Sequence, residues 1–285
     1  MTDVLITITG IIVLIAAWVI LYDSNRFVVR TYTVTDDRIK KSCRAVFLTD
    51  LHNKCYGKDN ERLLEAIRGQ HPDFILTAGD LLTARPKETV EPALRFLRQL
   101  AEDYPIYYAN GNHEHRLKLY PEVYSDMAER YETALKELGI DRLINRKALL
   151  PEYGIAVYGS EIDEAYYKRL KTVEMPPDYL HSVLGQASDS MYTILLAHNP
   201  DYFPRYAAWG ADLTLSGHVH GGVARVPFWG KGVISPSWHP FPRYDGGVFR
   251  ENASVMVLSR GLGMHTIHIR VFNPAELWVI EFKRE

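Results

Sequence analysis

Cysteine is scarce in this chain, because Cys43 and Cys55 are the only two among 285 residues. Two thiols cannot build a disulfide framework, so the count favours a reduced, buried or incidental pair. Structural zinc sites prefer cysteine and are therefore disfavoured as well. The motifs His-x-His-x-Asp-His and His-Glu-x-x-His, which a lone-zinc hydrolase of another fold would need, do not occur. Any metal site in this chain must rest on nitrogen and oxygen donors.

An excess of charge of one sign is also missing. The formal net charge is −2 at pH 7, and the sequence contains no basic block, so nucleic acid is not expected as a partner. Internal repeats, low-complexity segments and interdomain linkers are absent as well. We therefore expect one catalytic domain over residues 24–285, which is long enough for a substantial core.

One long stretch has no charge at all, from Val4 to Tyr22. As a helix it would be about 28 Å long, enough to cross the hydrocarbon core of a bilayer. Trp18 and Tyr22 stand near its end, where amphipathic rings favour the interface. A cleaved signal peptide is the alternative, but no Lys or Arg precedes the run and no clear cleavage site follows it. We expect residues 1–23 to be an uncleaved, single-pass anchor in the cell membrane.

The positive charges near this stretch all follow it, which predicts that the catalytic domain lies on the cytoplasmic side. They are Arg26, Arg30, Arg38, Lys40 and Lys41.

A buried-type strand, a polar motif and a helix recur in that order three times. The strands are predicted at 45–48, 74–77 and 106–109, and the helices at 59–69, 87–101 and 121–138. Further strands are predicted at 27–34, 154–159, 192–197, 254–258 and 277–282. This rhythm predicts βαβ units in a layered α/β fold. Ligands of open α/β sheets bind beyond the carboxyl ends of the strands, so the motifs there should converge on one crevice.

The motif from Leu215 to Gly222 holds His218 and His220, which point the same way if the chain is extended. Together with the other motifs it makes a mixed set of nitrogen and oxygen donors without a thiolate. Such a set suits manganese, iron or zinc, of which we expect manganese. Seven donors are too many for one catalytic ion and enough for two if one carboxylate bridges. They are Asp50, His52, Asp80, Asn112, His198, His218 and His220.

Two ions about 3.5–4 Å apart can lower the pKa of a shared water and clamp both oxygens of a phosphoryl displacement. His113, next to Asn112, is then in place to protonate the leaving group. We therefore expect hydrolysis of a phosphate ester by metal-activated hydroxide, with His113 assisting the leaving group.

Each residue alone has an ordinary explanation. Asp50 or Asp80 after a strand can be a turn residue or a helix cap, Asn112 can occupy a left-handed turn, and His198 can be a loop histidine. The ordered set favours the metal site. The alternative function is a catalytically silent scaffold that binds a partner protein, but such a chain is expected to have lost donors or His113, and this one has kept them.

In this order and spacing, Asp-x-His, Gly-Asp, Gly-Asn-His-Glu, His and Gly-His-x-His resemble the five blocks of calcineurin-like metallophosphoesterases. The resemblance runs from about residue 27 to 282. It implies a four-layer αββα sandwich of two mixed β-sheets, and it gives His113 the role of acid or phosphate contact. It also implies a first ion on Asp50, His52 and His220, a second on Asn112, His198 and His218, and Asp80 as the bridge.

The N-terminal run, His198-Asn199-Pro200-Asp201 and the ending from Gly261 to Leu277 resemble the bacterial membrane-associated phosphodiesterases of this family. These are related to UDP-2,3-diacylglucosamine pyrophosphatase-type enzymes. The resemblance implies a phosphodiester or pyrophosphate bond as the target, with lipid-linked and nucleotide substrates both open.

This chain departs from the family pattern at Glu114, where aspartate is commoner, which puts the orientation of His113 in question. His265 and His268 stand where small or apolar residues are more usual. Arg270 is open between a phosphate contact and a structural salt bridge. For the aromatic run through Trp229, Trp238, Phe241 and Tyr244, packing of a Pro-rich loop is favoured over an apolar substrate groove.

Overall fold

The apolar runs form the strands of two six-stranded sheets in a computed structural model that describes residues 2–236, 238–264 and 268–285. The strands are β1 (Phe27–Thr35), β2 (Cys43–Leu48), β3 (Phe74–Thr77), β4 (Ile106–Tyr108), β5 (Asp141–Arg142), β6 (Arg146–Leu150), β7 (Ile155–Ser160), β8 (Tyr192–Ala197), β9 (Leu213–Ser216), β10 (Gly247–Glu251), β11 (Ser254–Leu258) and β12 (Ala275–Lys283).

Both sheets are mixed. The first has the order β1-β12-β2-β3-β4-β5, in which β12 runs antiparallel to β2, with Trp278 opposite Phe47, and the other pairs are parallel. The second has the order β10-β11-β9-β8-β7-β6, in which the two outer pairs are antiparallel and the inner strands are parallel. The parallel strands in each sheet bring their carboxyl ends to one edge.

The helices lie between the strands and at the N-terminus. They are α1 (Thr2–Ser24), α2 (Glu61–Arg68), α3 (Glu91–Ala101), α4 (Asn112–Leu119), α5 (Pro121–Tyr124), α6 (Met127–Glu137), α7 (Tyr179–Leu184) and α8 (Phe203–Trp209). Short 3₁₀ turns cover Lys58–Asn60, Glu164–Tyr167 and Pro200–Tyr202.

Three apolar layers separate these elements, because side chains alternate between the two faces of each strand. In β2, Val46 faces a cluster that includes residues of α2, α3 and α6, while Phe47 faces the second sheet. In β8, Leu196 meets Phe47 in that central layer, while Leu195 faces α8. The order is therefore helices, sheet, sheet, helices, and the predicted four-layer αββα sandwich is confirmed.

Two helix predictions were wrong in detail. The helix expected from residue 87 begins at Glu91, because Pro92 has no N–H for a helical bond and is tolerated only in the first turn. The helix expected over 121–138 is split into α5 and α6 at Ser125, whose φ is +54°. The helix α4, which carries Asn112 and His113 within a short, polar stretch, was not predicted from the sequence.

The cysteines are free thiols, with Cys43 buried and Cys55 exposed, which agrees with the expectation of no disulfide. The packing interpretation of the aromatic run is correct only for Tyr244, which is buried. Trp229, Trp238 and Phe241 are exposed. Two of them, Trp238 and Phe241, have the positive φ (63° and 46°) that is typical of turn residues.

The helix α1 is long and apolar enough to cross a membrane by length and composition, and its side chains are almost all exposed. Its last residues are bonded to the rest of the chain. The amide of Asn273 donates to Asp23 at 3.2 Å, and the amide of Arg270 donates to the Ser24 hydroxyl at 3.0 Å. The end of α1 is therefore attached to the segment that precedes β12.

Candidate metal centre

The predicted donors meet where strands from both sheets end. Their side-chain atoms form three overlapping groups, within each of which the candidate ligand atoms lie within 4.8 Å of one another. The groups share His52 and Asp80, so they form one centre. They are Asp50, His52 and His220; His52, Asp80 and His113; and Asp80, His198 and His218.

Asn112 is the first residue of α4, directly beside His113. Its Oδ1 is buried and has no hydrogen-bond partner among the described residues. A buried carbonyl oxygen of this kind normally has a donor or a cation against it. Asn112 is therefore available as an oxygen ligand.

The carboxylate of Asp50 is fully buried and lies among donors. It accepts from the Thr49 hydroxyl at 2.9 Å and from the His218 amide at 3.1 Å, and it lies 3.4 Å from His220 Nε2. Burial alone would raise the pKa of Asp50, but nearby His220 and His198 together outweigh it and hold the pKa below its usual value. Asp50 is ionised at neutral pH.

Asp80 lies between the other donors. Its Oδ1 accepts from the His113 amide at 2.8 Å, while Oδ2 lies 3.0 Å from His198 Nε2 and 3.8 Å from His52 Nε2. Burial opposes ionisation here too, but His198 and His113 outweigh it and hold the pKa of Asp80 well below the usual value. One oxygen of this carboxylate thus faces imidazoles that come from the two sides of the centre.

Three imidazoles are oriented by main-chain carbonyl groups. The Nδ1 atoms lie against these oxygens: His52 on Leu82 at 3.3 Å, His198 on Ala78 at 2.8 Å and His220 on Gly263 at 3.1 Å. A carbonyl oxygen only accepts, so Nδ1 must carry the proton, and Nε2 of the neutral ring turns its lone pair toward the carboxylates.

A lone pair that faces a carboxylate needs a cation between the two groups. Burial lowers the pKa of His198, but Asp80 and Asp50 outweigh burial and raise it to about 9, so without a metal a proton takes that place. Burial and His198 lower the pKa of His218 to about 4, which keeps its ring neutral. Histidines held through Nδ1 by a carbonyl, with Nε2 turned toward carboxylates, are arranged as metal ligands. The donor set fits divalent cations.

The backbone at the centre is strained. Five of the predicted donors have positive φ although none is glycine: Asp50 (52°), His52 (48°), Asp80 (54°), His218 (71°) and His220 (49°). A left-handed conformation costs such residues on the order of 1–2 kcal/mol each. Strain of this kind persists where the surrounding structure enforces it, and it is concentrated at functional sites.

Glycines make room for the two carboxylates. A Cβ added to Gly111 would lie 2.2 Å from Asp80 Oδ1, and one added to Gly217 would lie 2.1 Å from Asp50 Oδ2. Any side chain at either position would push the carboxylate out of the centre. This explains why glycine precedes both Asn112 and His218.

Glu114 stabilises the turn that carries Asp80. Its buried carboxylate accepts from the amides of Asp80 (2.8 Å), Leu81 (2.9 Å) and Gly111 (3.0 Å) and from the Tyr108 hydroxyl (2.7 Å). Burial and the nearby Asp80 charge raise the pKa of Glu114. The longer side chain thus reaches the amides of two separate loops.

His113 is oriented by its own contact. Its Nδ1 accepts from the Ala84 amide at 2.8 Å, so the neutral ring carries its proton on Nε2. The question that Glu114 raised about the orientation of His113 is answered by this contact.

Two residues that support the centre, Arg270 and Asn273, were not identified as such from the sequence. Arg270 is buried, and its guanidinium donates to the main-chain carbonyls of Arg260, Gly261, Gly263 and Asn273. Its role is therefore structural, and its partners are main-chain carbonyl groups. The sequence had left a salt bridge and a phosphate contact open instead. The carbonyl of Gly263 also contacts His220 Nδ1, and the Asn273 side chain donates to the His220 carbonyl at 2.7 Å.

The structure describes only one of the two histidines near the chain end, His265 and His268. His268 is exposed, whereas His265 lies outside the described residues. In the sequence, only the motif Gly-Leu-Gly, Arg and Asn-Pro near the chain end pointed to Arg270 and Asn273. Their contacts with the metal centre become visible only in the fold.

Comparison with known proteins identifies relatives of this chain. The family model of calcineurin-like phosphoesterases matches residues 43–222. An uncharacterized metallophosphoesterase of Bacillus subtilis (strain 168), YkuE, is 28% identical over 84% of this chain and 79% of its own length. An uncharacterized metallophosphoesterase of Campylobacter jejuni, Cj0846, is 28% identical over 90% of this chain, and the match covers 63% of that protein.

Among solved structures, a 5'-nucleotidase precursor from Thermus thermophilus is similar with a TM-score of 0.40 and 15% identity. The match covers 78% of this chain and 49% of that one. A similarity of this size carries no information about activity.

Replacing Gly217 with alanine is expected to weaken metal binding about 10-fold or more, because the new methyl group displaces the Asp50 carboxylate. Titration of the metal-free full chain with Mn²⁺ by calorimetry measures this. Gly69→Ala is the control, because Gly69 has ordinary helical φ at the end of α2 and should bind as the wild type does. Unchanged affinity in Gly217→Ala would contradict the placement of Asp50.

Replacing Arg270 with methionine is expected to lower the free energy of unfolding by about 2–4 kcal/mol, because buried carbonyl groups lose their donor. Denaturant unfolding of the full chain in detergent measures the loss. Arg243→Met serves as the control, since the Arg243 side chain is 71% exposed and its removal should change the value by less than about 0.5 kcal/mol. Equal effects of the two changes would show that Arg270 does not hold this loop.

Proposed function

Since the chain belongs to the calcineurin-like phosphoesterase family and is a metal-dependent phosphoester hydrolase, we propose that it binds two divalent cations and hydrolyses a phosphodiester or pyrophosphate bond. The first cation is held by Asp50, His52 and His220, the second by Asn112, His198 and His218, and Asp80 bridges them.

The position of Asp80 carries this proposal. Its Oδ2 lies within 3.8 Å of Nε2 of both His52 and His198, which belong to the two different halves of the proposed centre. A carboxylate in that position is suited to bridge two ions. Asp50 and His220 complete one side of it, at 3.4 Å from each other.

When bound, the two cations would supply Lewis acidity and lower the pKa of a water molecule enough to make it a nucleophile at neutral pH. The protein residues supply the rest. Asn112 presents a neutral oxygen, and His113 holds a proton on Nε2 while Ala84 fixes its ring. That N–H can donate a hydrogen bond to the leaving oxygen of the ester and stabilise the negative charge that develops on it.

We propose manganese as the metal, because the donors are imidazole, carboxylate and amide groups without sulfur. We also propose that α1 anchors the chain in the cell membrane with the catalytic domain on the cytoplasmic side. The length and apolar character of α1 support the anchor, and the basic residues that follow it support the orientation. An anchored hydrolase meets lipid headgroups readily, so a lipid-linked diester or pyrophosphate is the favoured substrate, ahead of a soluble nucleotide.

The wild-type chain loaded with Mn²⁺ should hydrolyse bis-p-nitrophenyl phosphate, and His113→Gln should do so about 10²–10⁴-fold more slowly with unchanged metal content. Steady-state rates and elemental analysis of the same samples measure both quantities. His71→Gln, at an exposed loop position, is the control and should keep the wild-type rate.

If the wild type hydrolysed no aryl phosphate ester with any divalent metal, the enzyme proposal would fail and a scaffold that binds a partner protein would replace it. A His113→Gln variant with the full rate would exclude His113 from a role in the hydrolysis of this ester while leaving the metal centre in place.

For the anchor, we expect the full chain to stay with the membrane fraction after alkaline carbonate washing and to keep the intact mass of 285 residues. A charged side chain in the middle of an apolar span disfavours insertion by about 2.5–3.5 kcal/mol, so Ile12→Arg should release part of the protein. A chain shortened by the length of α1 would show that α1 is a cleaved signal sequence.

A further inference from the structure

Four large aromatic side chains project from the loop between β9 and β10. Phe228, Trp229, Trp238 and Phe241 are each at least half exposed, and Phe228 is fully exposed. The rings of Trp229 and Phe241 lie 5.8 Å apart, so these two side chains lie together on the surface. Exposed apolar clusters are uncommon on soluble surfaces and usually mark contact with a protein or a membrane.

This loop is paired with the segment that receives the end of α1. Ala224 pairs with Val271 in a short parallel bridge, and the Arg225 amide donates to the Val271 carbonyl at 2.9 Å. In the same segment, the amides of Arg270 and Asn273 donate to the last residues of α1. The aromatic loop and the end of α1 therefore both bond to one short stretch of chain, residues 270–273.

That stretch is itself apolar on its surface. Ile269 and Phe272 are exposed, although the residues that follow them, Arg270 and Asn273, are buried. They add two exposed apolar side chains to the segment that joins the aromatic loop to the end of α1. We refer to Phe228, Trp229, Trp238, Phe241, Ile269 and Phe272 as the aromatic patch.

The end of α1 has the features of a membrane interface. Trp18 and Tyr22 stack with their ring centroids 5.2 Å apart, and the Arg26 guanidinium lies 4.4 Å from the centre of the Tyr22 ring. Aromatic rings and cations are enriched where a spanning helix leaves the hydrocarbon core. Ile269 and Phe272 directly precede the two residues whose amides bond to Ser24 and Asp23, so this part of the aromatic patch lies next to the interface end of α1.

We propose that the aromatic patch is a second membrane contact, which enters the boundary between headgroups and acyl chains of the bilayer that α1 crosses. Amphipathic and apolar side chains are stabilised when they are buried at that depth. The proposal rests on the anchor proposed above and adds to it: the catalytic domain lies against the lipid surface, not free on a tether. Its partner is the phospholipid bilayer itself.

This contact places the metal centre near the bilayer. The segment that holds Ile269 and Phe272 also holds Asn273, whose side chain donates to the His220 carbonyl. Phe272 of the patch is therefore followed directly by a residue that bonds to His220, a proposed metal ligand. This membrane contact would hold the phosphate ester of a lipid headgroup close to the centre.

Tryptophan fluorescence tests the contact, because the chain has only five tryptophans and Trp209 and Trp278 are buried. The full chain is reconstituted in phosphatidylcholine vesicles with and without brominated acyl chains, which quench emission on contact. Trp18→Phe leaves the patch as the quenchable reporter. The double change Trp229→Phe and Trp238→Phe leaves α1 as the reporter.

A third variant provides the matched control. It replaces Trp18, Trp229 and Trp238 with phenylalanine and adds Leu149→Trp, at an exposed position of β6 at the far edge of the second sheet from β10. We expect the patch reporter to lose emission in brominated vesicles, more with bromines near the headgroup than deep in the chain. The control should lose none.

Loss of emission from the α1 reporter without loss from the patch reporter would overturn the second contact and leave the anchor. No loss from either reporter would overturn both, and loss from the patch reporter alone would overturn the anchor on which the proposal rests. Blue-shifted patch emission without quenching would mean that another copy of the chain covers the patch, which also overturns the proposal. Hydrolysis of bis-p-nitrophenyl phosphate is measured separately, so failure of the activity is distinguishable from failure of the contact.

Discussion

Two ionised carboxylates, Asp50 and Asp80, are buried together where strands from both sheets end. Burying charge without compensation is costly, and two like charges in one place increase that cost. The surrounding structure compensates: amides of His218 and His113 donate to the carboxylates, and imidazole nitrogens face them. A cation is still needed between nitrogen lone pairs and carboxylate oxygens, which makes this a centre for divalent metals.

This electrostatic demand explains several features of the residues around the two carboxylates. Left-handed backbone at five donors, glycines that leave no room for a Cβ, and a glutamate that accepts four hydrogen bonds all fix the positions of the carboxylates. On the far side, Arg270 satisfies carbonyl groups of the loop that orients His220. The same loop segment receives the end of α1, so the support of the centre and the attachment of the apolar helix share one structure.

The strands and the motifs that follow them could be predicted from the sequence because both depend on local pattern. Apolar runs such as 74–77 and 192–197 became strands with the predicted bounds, and parallel strands bring their ends together whatever the details of packing. Resemblance to the family added the second sheet and the layer order. The seven donors were brought to one place, although their roles as ligands stay a prediction.

What the sequence did not show depends on contacts between distant residues. Nothing local distinguishes a guanidinium that binds main-chain carbonyls from one that binds phosphate, so Arg270 stayed undecided. Glu114 was recognised only as a departure that put the orientation of His113 in question, whereas the fold shows that its carboxylate joins two loops. The aromatic run has the composition of a packed loop, and only the tertiary structure shows that Trp229 and Phe241 lie outside the core.

The most direct test of the account is the number of divalent ions bound per chain. After saturation with Mn²⁺ and removal of free metal, elemental analysis of the wild type should give about two ions, and their spins should be coupled in electron paramagnetic resonance because one carboxylate bridges them. Asp80→Ala should abolish the coupling and lose at least one ion. One ion or none in the wild type, or two coupled ions in Asp80→Ala, would contradict the proposal that Asp80 joins a dinuclear centre.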